Sequence, residues 1–165
     1  MRNKGFTLVE ILIVVVILGI LAAIVIPQFS DASTQSKVSS AASSVQTMRS
    51  QLSLYKIQHN DNLPTVALFE DAMTLCSDAE ATDAADYEAR TAGNTATHPY
   101  GPYLKSVPKN PFNNSDSIAA ADAADVGWVY DAVTGEITVG VADITNGDLV
   151  DELQSKGVAL PDAEG

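Results

Sequence analysis

The sequence predicts an α+β fold in which one long N-terminal α-helix, with a transmembrane first half, packs on a small antiparallel β-sheet. Three observations support this. Residues 6–26 form an almost unbroken apolar run, residues 28–59 repeat apolar side chains every three or four positions, and residues 127–141 hold two strand-like runs joined by a turn. Apolar residues at the helical spacing share one face, whereas short aromatic and β-branched runs around a turn favour a hairpin.

The apolar run predicts a membrane span. A helix of this length is about 30 Å long, which matches the hydrocarbon core of a bilayer. Arg2 and Lys4 precede the run, and positive charge at that end keeps it in the cytoplasm. We therefore expect residues 6–27 to cross the membrane once, with the N-terminus inside and residues 28–165 exported.

Glu10 is the unusual residue of this run. An acidic group near the centre of a membrane helix costs about 2.5–3.5 kcal/mol, and less toward its ends. Residues 6–26 contain no cation that could neutralise it. The sequence therefore predicts that Glu10 finds its charged partner on another molecule.

The string Lys4-Gly5-Phe6-Thr7-Leu8-Val9-Glu10, followed by the apolar run and Pro27, resembles the signal of type IV pilins and type II secretion pseudopilins. The resemblance implies a pilin-like fold and a prepilin leader of residues 1–5. It implies that a prepilin peptidase cuts between Gly5 and Phe6 and N-methylates Phe6. It also implies that Glu10 pairs with the Phe6 amine of a neighbouring subunit. The alternative is a plain single-pass anchor whose Glu10 is protonated or reaches the interface.

The second half of the helix, residues 28–59, should pack on the exported domain. Pro27 lacks an N–H and clashes with the preceding turn, so it should kink the helix without ending it, because periodic sequence resumes beyond. The turn-forming residues Asn60, Asp61 and Pro64 should end it. The apolar face comprises Phe29, Ala32, Val38, Ala41, Ala42, Val45, Met48, Leu52 and Tyr55.

Two later passages resemble major pseudopilins. The first runs from Leu52-Ser53-Leu54-Tyr55-Lys56 to Pro64-Thr65, and the second is Gly101-Pro102-Tyr103-Leu104-Lys105 with the prolines that follow. In the second, Val107, Asn110 and Phe112 stand where the family has Leu, Asp and Trp. The connector 98–114 should be held extended by its X-Pro steps, with its apolar side chains plugging the sheet edge. These are Tyr103, Leu104, Val107 and Phe112.

The remaining segments give weaker signals. Thr65 should cap a short helix over residues 66–77, and the wider region 61–97 should be a solvated acidic loop region, with a cation-binding surface as the alternative. Residues 115–125 indicate a loop or a weak helix. In the β-hairpin 127–141, Trp128 should pack in the core. The C-terminal tail 148–165 should form one amphipathic turn.

Charge and cysteine content exclude several classes. The formal charge is −12, and it becomes −14 once Arg2 and Lys4 are removed. Nucleic-acid binding relies on clustered cations, so no nucleic-acid partner is expected. Cys76 is the single cysteine, so we expect a small buried side chain and no intramolecular disulfide. The paired C-terminal cysteines of many type IV pilins are absent, which favours a pseudopilin or a cysteine-free pilin.

The sequence shows no catalytic constellation, so we do not expect an enzyme. His59 and His98 are not spaced with other residues as in a known catalytic motif. The sequence also lacks the residue spacing of an activated nucleophile, a phosphate-binding loop or a Cys/His metal cluster. Major pseudopilins carry a calcium site, and Asp143, Asn146 and Asp148 are the weak Ca²⁺ candidates here. A plain Asn-Gly turn is the favoured interpretation of that segment, and no other cofactor is expected.

The function that the resemblance implies is structural. The chain is expected to polymerise with itself into a helical pseudopilus filament, most similar to the major pseudopilin of type II protein secretion. Expected partners are the prepilin peptidase and methyltransferase, the inner-membrane platform protein, the assembly ATPase, minor pseudopilins and the lipid bilayer. The filament would extend from the inner membrane into the periplasm or the extracellular space. Alternatives are a type IV pilin for adhesion or motility and a membrane-anchored periplasmic binding or enzymatic domain.

Overall fold

The structure is a computed structural model that describes residues 6–91, 94–142, 144, 147–155, 158 and 160, without the side chains of residues 26–31, 148 and 152. The chain divides into two compact units, Met1–Ser36 and Lys37–Gly165. The predicted fold class is confirmed: a long N-terminal helix is combined with a small sheet.

Helix α1 spans Leu8–Gln58 and continues through position 27. The prediction that Pro27 does not end the helix is therefore confirmed. The predicted kink, a bend of the backbone, stays a prediction. Beyond Gln58, Asn60 and Asp61 adopt positive φ angles of 54° and 65°. The Asp61 N–H donates to the Lys56 carbonyl at 3.0 Å, which stops the helix as the turn residues predict.

In the Lys37–Gly165 unit, one face of α1 packs into the hydrophobic core. Its buried side chains follow the predicted 3- and 4-residue spacing, and Tyr55, the largest of them, is 1% exposed. This part of the predicted face is confirmed. The buried members are Val38, Ala41, Val45, Met48, Leu52 and Tyr55.

Three short strands complete the core: β1 Ile118–Ala119, β2 Trp128–Tyr130 and β3 Ile137–Val139, in the spatial order β1-β2-β3. Strands β2 and β3 are antiparallel, with Trp128 opposite Val139, so the predicted hairpin is confirmed. All three residues of β2 are buried, and the Trp128 indole N–H donates to the Pro108 carbonyl at 2.7 Å.

The sheet is mixed and not antiparallel throughout, because β1 pairs in parallel with β2. The prediction of a loop or weak helix at residues 115–125 therefore missed a strand. Both Gly127 and Trp128 donate a backbone N–H to the Ser117 carbonyl, at 3.1 and 3.0 Å. The hydroxyls of Ser115 and Ser117 donate to the Asp125 carbonyl, at 2.6 and 2.9 Å. These bonds fold residues 115–127 back so that β1 reaches the edge of β2.

Two short helices flank the sheet. Helix α2 spans Phe69–Thr74 after a 3-10 turn at Val66–Leu68, and α3 spans Gly147–Ser155. Helix α2 ends before the predicted position 77, because the backbone N–H and C=O of Cys76 pair with Glu88 at 2.7 and 2.8 Å. Cys76 is buried and free, as predicted. Helix α3 is longer than the single predicted turn.

The connector 98–114 closes the edge of the core. Val107 is buried and Tyr103, Leu104 and Phe112 pack against the core cluster. That they plug the sheet edge itself stays a prediction. Asn110 ties the connector to the hairpin. Its buried side-chain amide donates to the carbonyls of Gly127 and Gly140, at 2.9 and 3.1 Å, and its oxygen accepts from the Phe112 N–H. The connector is thus fixed by both apolar and polar contacts.

Candidate assembly site

The first half of α1 is apolar on every side and has no cover within its unit. The window Leu8–Val25 has a mean hydropathy of 3.2, and none of it is buried. The exposed fraction of its large apolar residues ranges from 83% at Leu8 to 40% at Val25. Among the described residues, this is the one helix that is both long enough and apolar enough to cross a membrane.

Such a surface is not stable in water. Burying apolar area yields roughly 25 cal/mol per Å², and exposed apolar patches on soluble monomers rarely exceed a few hundred Å². The side chains of Leu8–Val25 therefore require lipid or other protein around them. Lipid and a bundle of apolar helices can each cover this surface, because both surround it with apolar groups.

Glu10 lies in the first turn of this helix, where the structure gives it hydrogen-bond partners. Thr7 donates to Glu10 Oε2 from both its backbone N–H and its hydroxyl, each at 2.8 Å. The Glu10 N–H donates back to Thr7 Oγ1 at 3.3 Å. This reciprocal arrangement is a capping box, which satisfies backbone donors that a helix start leaves open.

The capping box gives Glu10 hydrogen-bond partners within its own helix, while the charged partner on another molecule stays a prediction. Thr7 supplies hydrogen bonds but no positive charge, so the carboxylate keeps its charge unpaired in the described part of the chain. Among those residues Glu10 Oε1 accepts no hydrogen bond and stays open toward an external cation. Sequence reasoning missed this contact, although a Thr three residues before a Glu at the start of an apolar run signals it.

The other predicted site residues are only partly placed. Phe6 is 81% exposed just before the helix, while Gly5 lies outside the described residues. The calcium candidates Asp143 and Asn146, and the side chain of Asp148, also lie outside them, so that site stays a prediction. Elsewhere in the described part, no group of three or more His, Cys, Asp and Glu side chains is arranged to hold a metal ion.

Comparison with known proteins supports the predicted resemblance. Residues 1–26 match the family model of the prokaryotic N-terminal methylation motif. The chain carries a type IV pilin signal. Beyond the pilin signal, the chain is 29% identical over 113 residues to type II secretion system core protein G of Aeromonas hydrophila, covering 68% of this chain and 70% of that protein.

Two further relatives match over shorter stretches. The core protein G of Pseudomonas aeruginosa is 45% identical over 58 residues, which is 35% of this chain and 41% of that protein. A fimbrial protein of Pseudomonas aeruginosa is 51% identical over 47 residues, which is 28% of this chain and 30% of that protein. The chain thus spans less than two thirds of the length of both. No solved structure matches the chain.

Proposed function

We propose that this chain is a structural subunit that polymerises into a helical pseudopilus filament, as the major pseudopilin of a type II secretion system. One observation carries the proposal. The similarity to the Aeromonas core protein G covers more residues than the whole Met1–Ser36 unit contains, so it extends into the Lys37–Gly165 unit. A shared pilin signal alone would not explain similarity in that second unit.

Processing and topology follow from the pilin signal. The prepilin peptidase cuts between Gly5 and Phe6 and methylates the new amine of Phe6. Arg2 and Lys4 hold the leader in the cytoplasm, so the Lys37–Gly165 unit lies outside the inner membrane. The subunit waits there as a single-pass protein until it joins a filament.

Assembly is proposed to use the open side of Glu10. The cationic amine of Phe6 on one subunit pairs with Glu10 Oε1 on the next, inside a core of packed apolar helices. Two opposite charges 4 Å apart attract by on the order of 4 kcal/mol at an effective dielectric constant of 20. The Leu8–Val25 surfaces leave the bilayer for equivalent apolar surroundings. The cytoplasmic ATPase and the platform protein supply the work, and minor pseudopilins join the same filament.

A type IV pilin for adhesion or motility is the second candidate, favoured by the fimbrial similarity. Deleting the gene for this chain distinguishes the two candidate functions. Loss of protein export supports the secretion role, and loss of surface motility with normal export supports the pilin role. A binding or enzymatic domain is less favoured. Among the described residues, a cavity of about 350 Å³ beside α1 has one charged lining residue, Arg49. That guanidinium already donates to the Ile137 carbonyl.

The proposal is tested with a variant that separates the two roles of Glu10. Glu10→Gln keeps an acceptor for Thr7 and therefore the capping box, but it removes the charge. We expect Glu10→Gln to be made and inserted normally yet to form no filaments and support no secretion. The matched control, Thr7→Ala, removes the hydroxyl that bonds to Glu10 Oε2 and to the Glu10 N–H. It keeps the charge, and it should still assemble. Normal filaments from Glu10→Gln would overturn the assembly mechanism.

A further inference from the structure

One buried histidine joins the end of α1 to the segment that follows α2. His59 is 1% exposed and Ser77 is fully buried. The His59 Nδ1 lies 2.8 Å from the Tyr55 carbonyl oxygen, and Nε2 lies 2.8 Å from Ser77 Oγ. The Tyr55 carbonyl can only accept, so Nδ1 carries a proton, and in the neutral ring the Ser77 hydroxyl donates to Nε2. The neutral ring thus satisfies both contacts.

The bond from His59 to Ser77 anchors more than one residue. Ser77 exchanges two backbone hydrogen bonds with Tyr100, each at 3.1 Å, and its neighbour Cys76 pairs with Glu88. Those two pairings tie the Cys76–Ser77 segment to Glu88 and Tyr100. Releasing Ser77 from His59 would loosen this segment.

We infer that the His59–Ser77 pair is an acid-sensitive latch: protonation of His59 releases Ser77 and opens the Cys76–Ser77 segment to water. Protonation makes Nε2 a donor, so the Ser77 hydroxyl can keep the contact only as an acceptor, and its own hydrogen loses the bond to Nε2. A full charge would also be left in a buried site, which favours the open state. This device goes beyond filament assembly and does not depend on it.

The groups around the ring set the balance. Tyr55 stacks on the ring with centroids 3.7 Å apart, and Tyr100 and Tyr103 approach at 5.6 and 6.4 Å. Burial lowers the pKa of His59, and the Tyr55 carbonyl, the charge of Asp78 and a hydrogen bond with the Asp78 backbone oppose that shift without reversing it. Burial likewise raises the phenol pKa of Tyr55 and of Tyr103. Both phenols therefore stay neutral and offer the imidazolium no counter-charge.

The direction of the pH effect follows from the lowered pKa. An exposed histidine titrates near pH 6.5, so the open state binds more protons than the closed state as the pH falls below that value. Opening is therefore favoured by acid and suppressed above about pH 7. If the closed ring stays neutral, the open population at pH 5.0 rises by up to about 25-fold relative to pH 7.

Cys76 provides a direct reporter, because it is the single cysteine, is buried and precedes Ser77. A dipyridyl disulfide, which remains reactive in acid, would be added to the full chain in detergent micelles. Its exchange with Cys76 forms a mixed disulfide and releases one thiopyridone, which is measured by absorbance. The rate is divided by that of the same protein unfolded in urea at the same pH.

We expect this rate ratio to rise about tenfold or more from pH 7.5 to pH 5.0 in the wild type. It should stay flat in His59→Gln, which cannot take up the proton. His98→Gln is the matched control, since His98 is the other histidine of the chain, and it should behave as the wild type does. A flat ratio in the wild type, or a rise that persists in His59→Gln, would overturn the latch.

A second measurement needs only a folded wild type. The two histidines give two sets of imidazole NMR signals, and the His98→Gln spectrum assigns them. The latch predicts that the His59 signals titrate below pH 6.5 and that Cys76 becomes reactive over the same pH range. A His59 midpoint at or above pH 6.5 contradicts the inference even if His59→Gln fails to fold.

Discussion

Leu18 and Leu52 are the same residue type in the same helix, yet Leu18 is 59% exposed whereas Leu52 is 3% exposed. The comparison separates two uses of one element. The second half of α1 buries its apolar face against the sheet and connector of its own unit. The first half has no such cover, so its apolar surface is available to a bilayer or to other subunits. We therefore expect folding and the proposed assembly to depend on different stretches of α1.

The largest expected effect comes from matched leucine substitutions. Leu52→Ala leaves a cavity in the core and should lower the free energy of unfolding by about 2–5 kcal/mol. Leu18→Ala should leave the unfolding of the Lys37–Gly165 unit unchanged and act on assembly instead. Urea unfolding of the full chain in micelles, followed by Trp128 fluorescence, measures both. Equal losses of stability would break the division between the two halves.

Asn110 tests whether the connector is held by polar contacts as well as apolar ones. Asn110→Asp removes the amide that donates to Gly127 and Gly140 and places a carboxylate opposite two buried carbonyl oxygens. We expect a loss of about 2–3 kcal/mol in the free energy of unfolding. Pro108→Ala, in the same connector, leaves these bonds in place and serves as the control. If Asn110→Asp left the free energy of unfolding unchanged, apolar packing alone would hold the connector.

Arg49 gives a smaller effect at the edge of the core. Its guanidinium donates to the Ile137 carbonyl at 3.1 and 2.7 Å and lies 3.4 Å from Glu136 Oε1. Arg49→Met should lower the unfolding free energy by about 1.5 kcal/mol, because it removes a charge-assisted bond to the backbone. Glu136→Gln, which touches only the surface ion pair, should lower it by less than about 1 kcal/mol. A larger loss of stability in Glu136→Gln than in Arg49→Met would assign the stabilisation to the ion pair.

Asp131 gives the smallest effect and concerns pH. The Thr134 hydroxyl and the Val133 N–H bind its carboxylate in the hairpin turn and lower its pKa. A lowered pKa means that this contribution is present above about pH 4 and is lost as the pH falls through the folded-state value. Asp131→Asn keeps an acceptor but does not titrate. Its urea midpoint should fall slightly less than that of the wild type between pH 4.5 and 3, and an identical fall would exclude a role for Asp131.

Much of this architecture could be predicted because its signals are local. Helix periodicity from Val38 to Tyr55, turn residues at Asn60 and Asp61, and the hairpin around Trp128 each follow from near neighbours in the chain. The parallel strand β1 could not be predicted, because it depends on the Ser117 carbonyl meeting Gly127 and Trp128 across a folded-back loop.

Candidate functional residues divide in the same way. Glu10 stands out because a carboxylate is costly in an apolar run, whereas the bonds from Thr7 needed the capping pattern to be noticed. His59 looked isolated in the sequence. Its partner Ser77 is brought to it only by the fold, and no spacing rule connects the two residues.

The most direct test of the account is the intact mass of the protein purified from its native membrane. If the pilin signal is read, the mass will lack Met1–Gly5 and carry one additional methyl group, which peptide fragmentation will place on the amine of Phe6. A full-length, unmethylated mass from cells with an active prepilin peptidase would contradict the account. It would leave Leu8–Val25 as an ordinary membrane anchor.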